Sequence, residues 1–365
     1  MAPTTPRKGM PDPKIDEQVF RNRFNERFFD PAFDTVRSEI DAVSRIAWEA
    51  YKGKRKAPRT RKAGADFADS NYDLLVDWLH ARAAIEEAGR QHEDKQRPAR
   101  VLLINGSPRN EHTCPGEMSK TFRLIEEARS VLSEDAHFEV DILDLSRLTA
   151  EYGRQIHPCK ACFSTSPALC HWPCSCYPNH GLGQTNDWMN EIYPSWVAAH
   201  GIMIITPCHW YQAPTTLKSM IDRLVCADGG NPDPTSTHGK NAEEAKRLEL
   251  AGWDYPRHLA GRAFAIVVNG DSEGADVVRR SLHDWLSDMQ LSPAGAWASI
   301  DRYIGYYRPY ATSHEDLDAD GAVFEETRNA ALTLVEAVKR YRSGETEPGT
   351  GFTTRVLNKR LGQFR

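Results

Sequence analysis

The spacing of hydrophobic and polar residues changes near residue 100 and divides the chain into two parts. Before this point apolar side chains recur at helical spacing, as in Phe20, Phe24 and Phe28, and Pro58 interrupts the pattern within a basic stretch. After it, short apolar runs alternate with amphipathic segments. We therefore expect a helical N-terminal arm or extension over residues 1–97, followed by a domain of alternating strands and helices.

Five segments of the second part have the character of β-strands. Residues 101–105, 201–206 and 264–268 are short and largely apolar, which is typical of parallel strands buried on both faces. Residues 138–142 alternate apolar and charged side chains, which indicates an edge strand. We place the last strand at residues 296–300. Because helical patterns separate the five segments, the sequence predicts an α/β fold with a doubly wound, five-stranded parallel sheet.

The helices between the strands carry recognisable start signals. Ser119 precedes the first amphipathic segment and is a good N-cap, Pro214 opens the second, and residues 323–341 form the last. We expect the domain to span residues 98–342, with an insertion at about 227–259 and a basic C-terminal tail at 343–365. Sheets of this class bind ligands beyond the carboxyl ends of their strands, so the loops there are the places to look for chemistry.

Composition and charge argue against several classes of function. The 365 residues are 40% hydrophobic and carry a net charge of -5, which gives no general basis for a nucleic-acid partner. No apolar run approaches the roughly 18 to 20 residues that span a bilayer, and the first residues lack the apolar core of a secretory signal. We therefore expect a cytoplasmic protein without a membrane span. The aromatic residues of the arm are too numerous for water, so we expect them to pack on the main domain or on another subunit.

The loop after the first strand has the character of an anion site. Residues 105–109 read Asn-Gly-Ser-Pro-Arg, and the helix that follows begins Ser119-Lys120-Thr121. Hydroxyls, backbone N–H groups and a helix N-terminus can surround a phosphate, and Arg109 can add a charged contact. The glycine patterns of Rossmann dinucleotide loops and of nucleoside triphosphatases are absent. A capped helix after a simple turn is the alternative interpretation.

A second motif gives this loop a specific meaning. After the strand at 201–206, the chain reads Thr-Pro-Cys-His-Trp-Tyr-Gln over residues 206–212 and Leu-Lys-Ser-Met-Ile-Asp-Arg over 217–223. Together with Gly-Ser-Pro-Arg and the following Ser-x-Thr-x-x-Leu, this order resembles the NAD(P)H-dependent FMN reductase family of flavodoxin-like proteins. The resemblance covers about residues 100–342. The arm before it has no counterpart in the small members of that family.

The resemblance implies an FMN site built from three loops. Its phosphate-binding residues would be Ser107, Arg109, Ser119, Lys120 and Thr121. Its ring-binding residues would be Pro207, Cys208, His209, Trp210, Tyr211, Gln212, Asn269, Gly270 and Asp271. Core packing is the alternative for Trp210 and Tyr211. No protein side chain is assigned as an essential acid or base, although His209 is the nearest candidate for proton delivery and a ring-orienting role suits it equally.

The implied activity is electron transfer from NADPH or NADH through FMN to a quinone, a nitro or azo aromatic compound, or free flavin. The alternative is a flavin electron carrier or redox-sensing module that acts on a protein partner, with a metal cluster as a further option. Family members are commonly homo-dimers or homo-tetramers. A scaffold without flavin is a third interpretation, under which Arg109→Ala would change nothing.

A cysteine-rich segment leaves several kinds of chemistry open. Its five cysteines are Cys159, Cys162, Cys170, Cys174 and Cys176. Iron-sulfur flavoproteins, more distant relatives by resemblance, carry a compact four-cysteine motif in this region. Here, however, the third cysteine lies eight positions after Cys162 rather than three. Tetrahedral zinc accepts this spacing more readily, with His171 or His180 as additional ligands, and bare thiols are the remaining option.

Overall fold

A computed structural model describes residues 15–53, 60–113, 116–151, 153–177, 187–305, 309 and 312–345. Its strands are β1 (Thr60–Lys62), β2 (Asp73–Leu75), β3 (Ala99–Asn105), β4 (Phe138–Asp144), β5 (Gly201–Pro207), β6 (Ala263–Gly270), β7 (Ser292–Pro293) and β8 (Ser299–Tyr303). Its α-helices are α1 (Glu17–Asn25), α2 (Arg37–Lys52), α3 (Val76–Glu93), α4 (Lys120–Leu132), α5 (Arg147–Ala150), α6 (Met189–Ala198), α7 (Thr215–Arg223), α8 (Ala242–Leu250), α9 (Ala275–Asp288), α10 (Ser313–Ala319) and α11 (Gly321–Ser343).

The main sheet is parallel, and its order is β4-β3-β5-β6, followed by β7 and β8 beside β6. Counted along the sheet domain, this is the order 2-1-3-4-5 of flavodoxin-like folds. The predicted doubly wound flavodoxin-like sheet is therefore confirmed, including the edge position of β4. The strand order reverses at β3, so the loops after β3 and β5 lie on either side of the switch point where such sheets bind ligands.

The fifth position of the sheet differs from the sequence prediction. Two short strands, β7 and β8, pair with successive parts of β6 and together occupy this position. Residues 296–298 form a 3-10 turn, so the predicted strand at 296–300 is wrong in its first half and the strand begins at Ser299. Gly295 and the small Ala296 and Ala298 break the extended run, a feature that the alternation of apolar residues does not reveal.

The central strands are buried on both faces because each has an apolar run without charged residues. Leu102 and Ile104 of β3 point into one core with α6, α7 and α9, whereas Val101 and Leu103 point into the other with α4 and α11. This alternation follows from the two-residue period of a strand. Helices on both faces hold β3, β5 and β6 rigidly, and with them the positions of the loops at their carboxyl ends.

The aromatic residues of the arm bury one another. Phe20, Phe24 and Trp48 form a small cluster between α1 and α2, with Phe28 and Tyr51 at its margin. In that cluster they pack on one another, and packing of the arm on the main domain or on another subunit stays a prediction. Phe29 remains 86% exposed. Helices α1 and α2 thus share a small aromatic core, and part of their apolar surface is exposed.

Helix α3 is attached to the sheet domain, although it precedes the predicted boundary at residue 97. Ile85 and Ala88 join the core that contains Trp188 and Ile192 of the α6 region. The indole nitrogen of Trp78 donates a 2.8 Å hydrogen bond to the carbonyl of Pro173. Helix α3 thus shares its core with the sheet domain, and the domain limits at 97 and 342 stay predictions. The tail beyond residue 345 lies outside the described residues.

The predicted insertion contains a 3-10 turn at Pro234–Thr237 and the short helix α8. Ala245 of α8 is fully buried against Ala168 and Leu169 of the cysteine-rich segment. The insertion therefore covers the cysteine-rich segment. No helix in the described part of the chain is long and apolar enough to cross a membrane.

Candidate functional site

The loop after β3 is held by its own polar side chains. Asn105 donates from Nδ2 to Asp144 Oδ1 at 2.8 Å, and its own Oδ1 accepts from the backbone N–H of Ser107 at 3.1 Å. The hydroxyl oxygen of Ser107 accepts from the backbone N–H of Arg109 at 3.2 Å. Asn105 and Ser107 are buried. The loop is thus fixed before any ligand binds, which lowers the ordering entropy that binding requires.

Gly106 is required because the loop lies directly against the end of β5. A Cβ atom at this position would stand 2.4 Å from the hydroxyl oxygen of Thr206, far inside van der Waals contact. The Gly106 N–H donates to the carbonyl of Ile205 at 2.9 Å. The first and second predicted loops therefore leave the sheet side by side.

The start of α4 joins the first loop to the third. Ser119 caps the helix, with its hydroxyl accepting from the N–H of Phe122 at 3.1 Å. The hydroxyl of Thr121 donates to Asn269 Oδ1 at the end of β6, at 3.1 Å. Among the residues that the structure describes, the Nδ2 group of the buried Asn269 has no hydrogen-bond acceptor. A buried donor without an acceptor is costly, so this group is well suited to meet a ligand oxygen.

The loop after β5 ends in a tight turn with aromatic residues at its tip. The backbones of His209 and Gln212 exchange two hydrogen bonds of 2.9 Å. Trp210 and Tyr211 between them have φ angles of 50° and 65°, and Trp210 is 88% exposed. Turns with two positive φ angles favour Asn and Gly, and bulky residues there cost roughly 1 to 2 kcal/mol each. Two aromatic residues at this position indicate a role outside folding.

The loop after β6 contacts this turn and holds it by hydrogen bonds. The N–H of Cys208 donates to the carbonyl of Asn269 at 2.8 Å, and the Ser272 hydroxyl donates to the carbonyl of Cys208 at 3.3 Å. Gly274, with a φ of 98°, packs so closely on Tyr211 that a Cβ atom would lie 2.4 Å from the ring. The structure therefore brings all three predicted loops together at one edge of the sheet.

Two titratable residues that sequence reasoning missed, Glu117 and His314, lie beside the first loop. Glu117 Oε1 stands 3.8 Å from the Arg109 guanidinium, and Glu117 Oε2 stands 3.9 Å from His314 Nε2. Desolvation lowers the pKa of His314, while Glu117 partly opposes this. His314 comes from α10, about 200 residues from the loop in sequence, so no local motif could reveal it. Glu117 lies between Gly-Ser-Pro-Arg and Ser-x-Thr-x-x-Leu and belongs to neither motif.

Lys120 and His209 both face Asp271 of the third loop. Desolvation lowers the pKa of Lys120, and the carboxylates of Asp271, Asp316 and Glu117 oppose that effect. Desolvation likewise lowers the pKa of His209, with Asp271 opposing. Neutral His209 is therefore favoured near pH 7, and its imidazole is able to accept a proton. Its role as a proton donor or as a ring-orienting residue stays a prediction.

The cysteine-rich segment brings two of its five thiols into contact. The sulfurs of Cys162 and Cys176 are 3.7 Å apart. The neighbouring Cys170 thiol raises the pKa of Cys162, and the neighbouring Cys176 thiol raises the pKa of Cys174. Cys159 differs, since its sulfur accepts from the backbone N–H of Ala161 at 3.3 Å. The seven cysteines that the structure describes are all free thiols.

His171 is unsuited to the ligand role considered from the sequence. Its Nδ1 lies 2.6 Å from the Ser175 hydroxyl and its Nε2 lies 2.9 Å from the Thr237 hydroxyl, so both ring nitrogens are engaged. His180 lies outside the described residues. Within the described ranges, no three His, Cys, Asp or Glu side chains stand around a common point as a ready metal site.

A cavity of about 520 Å³ lies elsewhere, between α3 and the start of α6. It is lined by charged and aromatic side chains, including Asp77, His80, Arg154, Asp187 and Trp188. None of the predicted cofactor residues lines it. This cavity therefore does not lie where the sequence motifs converge, and we assign the candidate site from the three joined loops.

Comparison with known proteins agrees with the resemblance. An iron-sulfur flavoprotein of Methanosarcina thermophila is 29% identical over 126 residues, which are 34% of this chain and 52% of that protein. The chain thus spans about half the length of this curated relative. Among solved structures, RosB with the bound intermediate 8-demethyl-8-formylriboflavin-5'-phosphate is similar with 11% identity and a TM-score of 0.45, over 72% of this chain and 87% of that one.

A further solved structure is the NAD(P)H:quinone oxidoreductase from Methanothermobacter marburgensis, with 14% identity and a TM-score of 0.36, over 69% of this chain and 99% of that one. The family described as NADPH-dependent FMN reductase matches residues 99–303, which is more than half of the chain. The matched range begins at β3, ends at β8 and includes all three loops of the site. The chain belongs to the NADPH-dependent FMN reductase family.

Proposed function

We propose that this protein binds FMN at the carboxyl edge of its sheet and acts as an NAD(P)H-dependent oxidoreductase. The observation that carries the proposal is the mutual attachment of the three loops around Asn269. Its side chain accepts from Thr121 of the first helix, and its carbonyl accepts from Cys208 of the second loop. A site assembled from three strand ends presents the phosphate and ring contacts that one flavin needs.

The residues at the first loop suit a phosphomonoester. The proposed anchors are Ser107, Arg109, Ser119, Lys120 and Thr121, which combine three hydroxyls with two cationic side chains. Gly106 lets the backbone approach closely. The buried Nδ2 donor of Asn269 lies at the same junction, where a ligand oxygen would satisfy it. The N-terminus of α4 adds a favourable dipole.

The residues of the second and third loops suit a flat ring. Residues 207–212 supply backbone groups and the aromatic faces of Trp210 and Tyr211, and residues 269–271 supply a second wall. When bound, FMN would supply hydride transfer between NADPH or NADH and an acceptor. The exposed Trp210 leaves room for a planar acceptor, which fits a quinone, a nitro or azo aromatic compound, or free flavin.

The decisive experiment compares FMN with riboflavin, which lacks the phosphate. We expect the apoprotein to quench FMN fluorescence with much tighter binding than it shows for riboflavin, and NADPH or NADH to bleach the bound flavin rapidly without oxygen. Failure to retain FMN after reconstitution would sink the proposal. Equal affinity for FMN and riboflavin would show that the first loop does not bind the phosphate.

The second candidate is an electron carrier or redox-sensing module. The match to an iron-sulfur flavoprotein and the cluster of thiols favour it. The two candidate functions differ in how fast NADPH is expected to reduce the bound flavin. Slow bleaching by NADPH, together with iron and acid-labile sulfide in the purified protein, would favour the carrier.

We also propose that the protein forms homo-dimers or homo-tetramers. The arm supports this, because Phe29, Val43 and Ile46 leave apolar surface in water beside a core too small to be stable on its own. Pairing of two arms would bury these side chains. This proposal about assembly does not depend on FMN binding.

A further inference from the structure

The cysteine-rich segment holds one pair of thiols in direct contact. The sulfurs of Cys162 and Cys176, which we call the contact pair, are 3.7 Å apart although 14 positions separate the two residues in sequence. Cys162 begins a 3-10 turn, whereas Cys176 lies outside any helix or strand. Both residues are half-buried. The fold thus joins two distant thiols at a place that is not sealed inside the core.

Contacts beside the contact pair fasten its two chain segments together. Lys160 Nζ donates to the carbonyl of Cys176 at 3.1 Å, and the Tyr177 hydroxyl donates to the carbonyl of Pro158. The ring of Tyr177 also stacks on that of His157, with centroids 4.7 Å apart. These contacts do not involve the sulfur atoms. The approach of the two thiols is therefore set in advance by the segments that carry them.

The backbone next to Cys162 has an uncommon conformation. Ala161 has a φ angle of 51° and a ψ angle of 32°, in the left-handed region that a residue with a Cβ atom rarely adopts. Backbone strain of this kind concentrates at functional sites. Because Ala161 directly precedes the 3-10 turn of Cys162, its conformation helps to set the place of that cysteine.

The other cysteines of the segment are less suited to pairing. Cys170 is buried, and the sulfur of Cys159 accepts from the backbone N–H of Ala161 at 3.3 Å. Cys174 lies only two residues before Cys176, a span over which disulfide geometry is strained. The contact pair is therefore the best placed of these thiols to form a bond.

Lys240 of the insertion places positive charge beside Cys162. Its Nζ lies 3.6 Å from Cys162 Sγ and donates to the carbonyl of Leu169 at 2.8 Å. The Cys170 thiol and burial raise the pKa of Cys162, and the Cys176 thiol and Lys240 oppose this rise. The thiolate is the attacking species in disulfide exchange, and a neighbouring cation stabilises it. Cys162 is therefore the sulfur better placed to react first.

We propose that Cys162 and Cys176 are a redox-active dithiol, which a small disulfide of a low-molecular-weight thiol converts into an intramolecular disulfide. The Cys162 thiolate attacks one sulfur of the small disulfide, whose S–S bond breaks and releases one thiolate. The Cys176 thiolate then attacks the Cys162 sulfur of the mixed disulfide and releases the second thiolate. The two cysteine protons pass to the two released thiolates, and two electrons pass to the small disulfide.

The bond would change a contact between the segment and the insertion. The sulfurs would move from 3.7 Å to about 2.05 Å apart, through rotation of the two side chains. Lys240 would then face a neutral disulfide in place of a thiolate, so its contact with Cys162 would weaken. The inference is independent of FMN binding, because none of the proposed flavin residues belongs to the contact pair.

The test exposes the reduced full chain to oxidised glutathione without air and follows its mass and its free thiols. We expect the loss of two thiols, no retained glutathione, and recovery of both thiols with dithiothreitol. Chymotrypsin can cut the denatured chain after Phe163 and so separate Cys162 from Cys176, which allows the bond to be located by mass. Cys159→Ser is the matched control and should form the same bond.

Two variants separate the steps of the reaction. Cys176→Ser should stop at the mixed disulfide and retain one glutathione on Cys162. Lys240→Gln should still form the bond, but about 3- to 10-fold more slowly, because the Cys162 thiolate loses its neighbouring cation. Circular dichroism shows whether each variant folds.

Several results would overturn the proposal. One is a mixed disulfide that persists in the wild-type chain, and another is a folded wild-type chain whose thiols do not react. A bond that joins Cys170 or Cys174 in place of the contact pair, or iron bound to the contact pair in the purified protein, also contradicts it. A failure to bind FMN in the same preparation would contradict the proposed function alone.

Discussion

The Thr121 hydroxyl donates a 3.1 Å hydrogen bond to the side-chain oxygen of Asn269, 148 residues away in sequence. Both side chains are buried, and the bond joins the first turn of α4 to the carboxyl end of β6. It therefore connects the proposed phosphate contacts with the proposed ring contacts. The geometry of the whole site depends on this pair more directly than on any exposed residue.

Replacing Thr121 with valine keeps the shape but removes the hydroxyl. Asn269 would lose its donor inside the protein, so we expect the free energy of unfolding to fall by about 1 to 3 kcal/mol. FMN affinity should also fall, because both loops lose their connection. Urea unfolding and fluorescence titration measure the two effects. Thr333→Val is the control and should change neither, because Thr333 is half-buried and its hydroxyl donates to the carbonyl of Asn329 in its own helix.

Arg109 provides the clearest test of the phosphate assignment. Removing its charge with Arg109→Gln should raise the Kd for FMN about 10- to 100-fold, since a charged hydrogen bond contributes about 1.5 to 3 kcal/mol. Riboflavin binding should be unchanged. Arg129→Gln, on the outer face of α4, serves as the control because Arg129 pairs only with Glu126 among the contacts described. Equal losses for FMN and riboflavin would show that Arg109 does not contact the phosphate.

Replacing Trp210 should weaken FMN binding without lowering the stability of the fold. Asparagine tolerates the left-handed backbone at this position, so Trp210→Asn should leave the free energy of unfolding unchanged or raise it by up to about 1 kcal/mol. The loss of an aromatic face should raise the Kd for FMN about 3- to 10-fold. Trp297→Asn is matched, since Trp297 is 73% exposed and lies outside the site. A clear loss of stability in Trp210→Asn would contradict the strain argument.

The sequence predicts those parts of the fold in which one physical signal dominates. β3, β5 and β6 each contain an unbroken apolar run, and Ser119 is a strong N-cap, so these elements are found where the pattern places them. Prediction fails where tertiary packing overrides local pattern. The turn at 296–298 replaces part of a strand, and α3 packs on the sheet domain although it precedes the change of pattern.

Prediction of the candidate site from sequence is limited in the same way, by contacts that only the tertiary fold creates. Each of the three loops carries its own motif, and the sheet order then requires them to meet. His314 reaches the first loop from α10, a distant part of the chain, and Glu117 lies near the loop in sequence but belongs to neither motif. The contact between Cys162 and Cys176 could not be inferred either, since the spacing alone does not say which of the five cysteines meet.

The arm gives a prediction about assembly. Ile46 is 66% exposed and lies near the middle of α2, next to the exposed Val43. Ile46→Glu should therefore shift the protein toward the monomer in light scattering after size exclusion, because a carboxylate resists burial in an apolar contact. Leu332→Glu on α11 is the control. An unchanged mass for Ile46→Glu would assign the subunit contact to another surface.

His200 gives the protein a defined sensitivity to acid. Its Nδ1 accepts from the N–H of Arg100 at 3.0 Å, and its Nε2 lies 2.9 Å from the carbonyl of His92, to which it donates. The two imidazole rings stack 4.4 Å apart. Desolvation lowers the pKa of each ring to about 4, with Arg342 contributing at His200 and Arg262 at His92. Both rings are therefore neutral in the folded protein at pH 7.

In the unfolded chain the same rings titrate near pH 6.5, so the unfolded state binds more protons between pH 6.5 and 4. The stabilisation is fully present above pH 6.5 and is lost as the pH falls toward 4, by about 1 to 2 kcal/mol for each ring when solvent screening is allowed for. Urea unfolding at pH 7.5, 5.5 and 4.5 should show this decline. His200→Gln should be less stable at pH 7.5 but flatter in its pH dependence, whereas His112→Gln at an exposed position should follow the wild type. An equally steep decline in His200→Gln would assign the acid sensitivity to other groups.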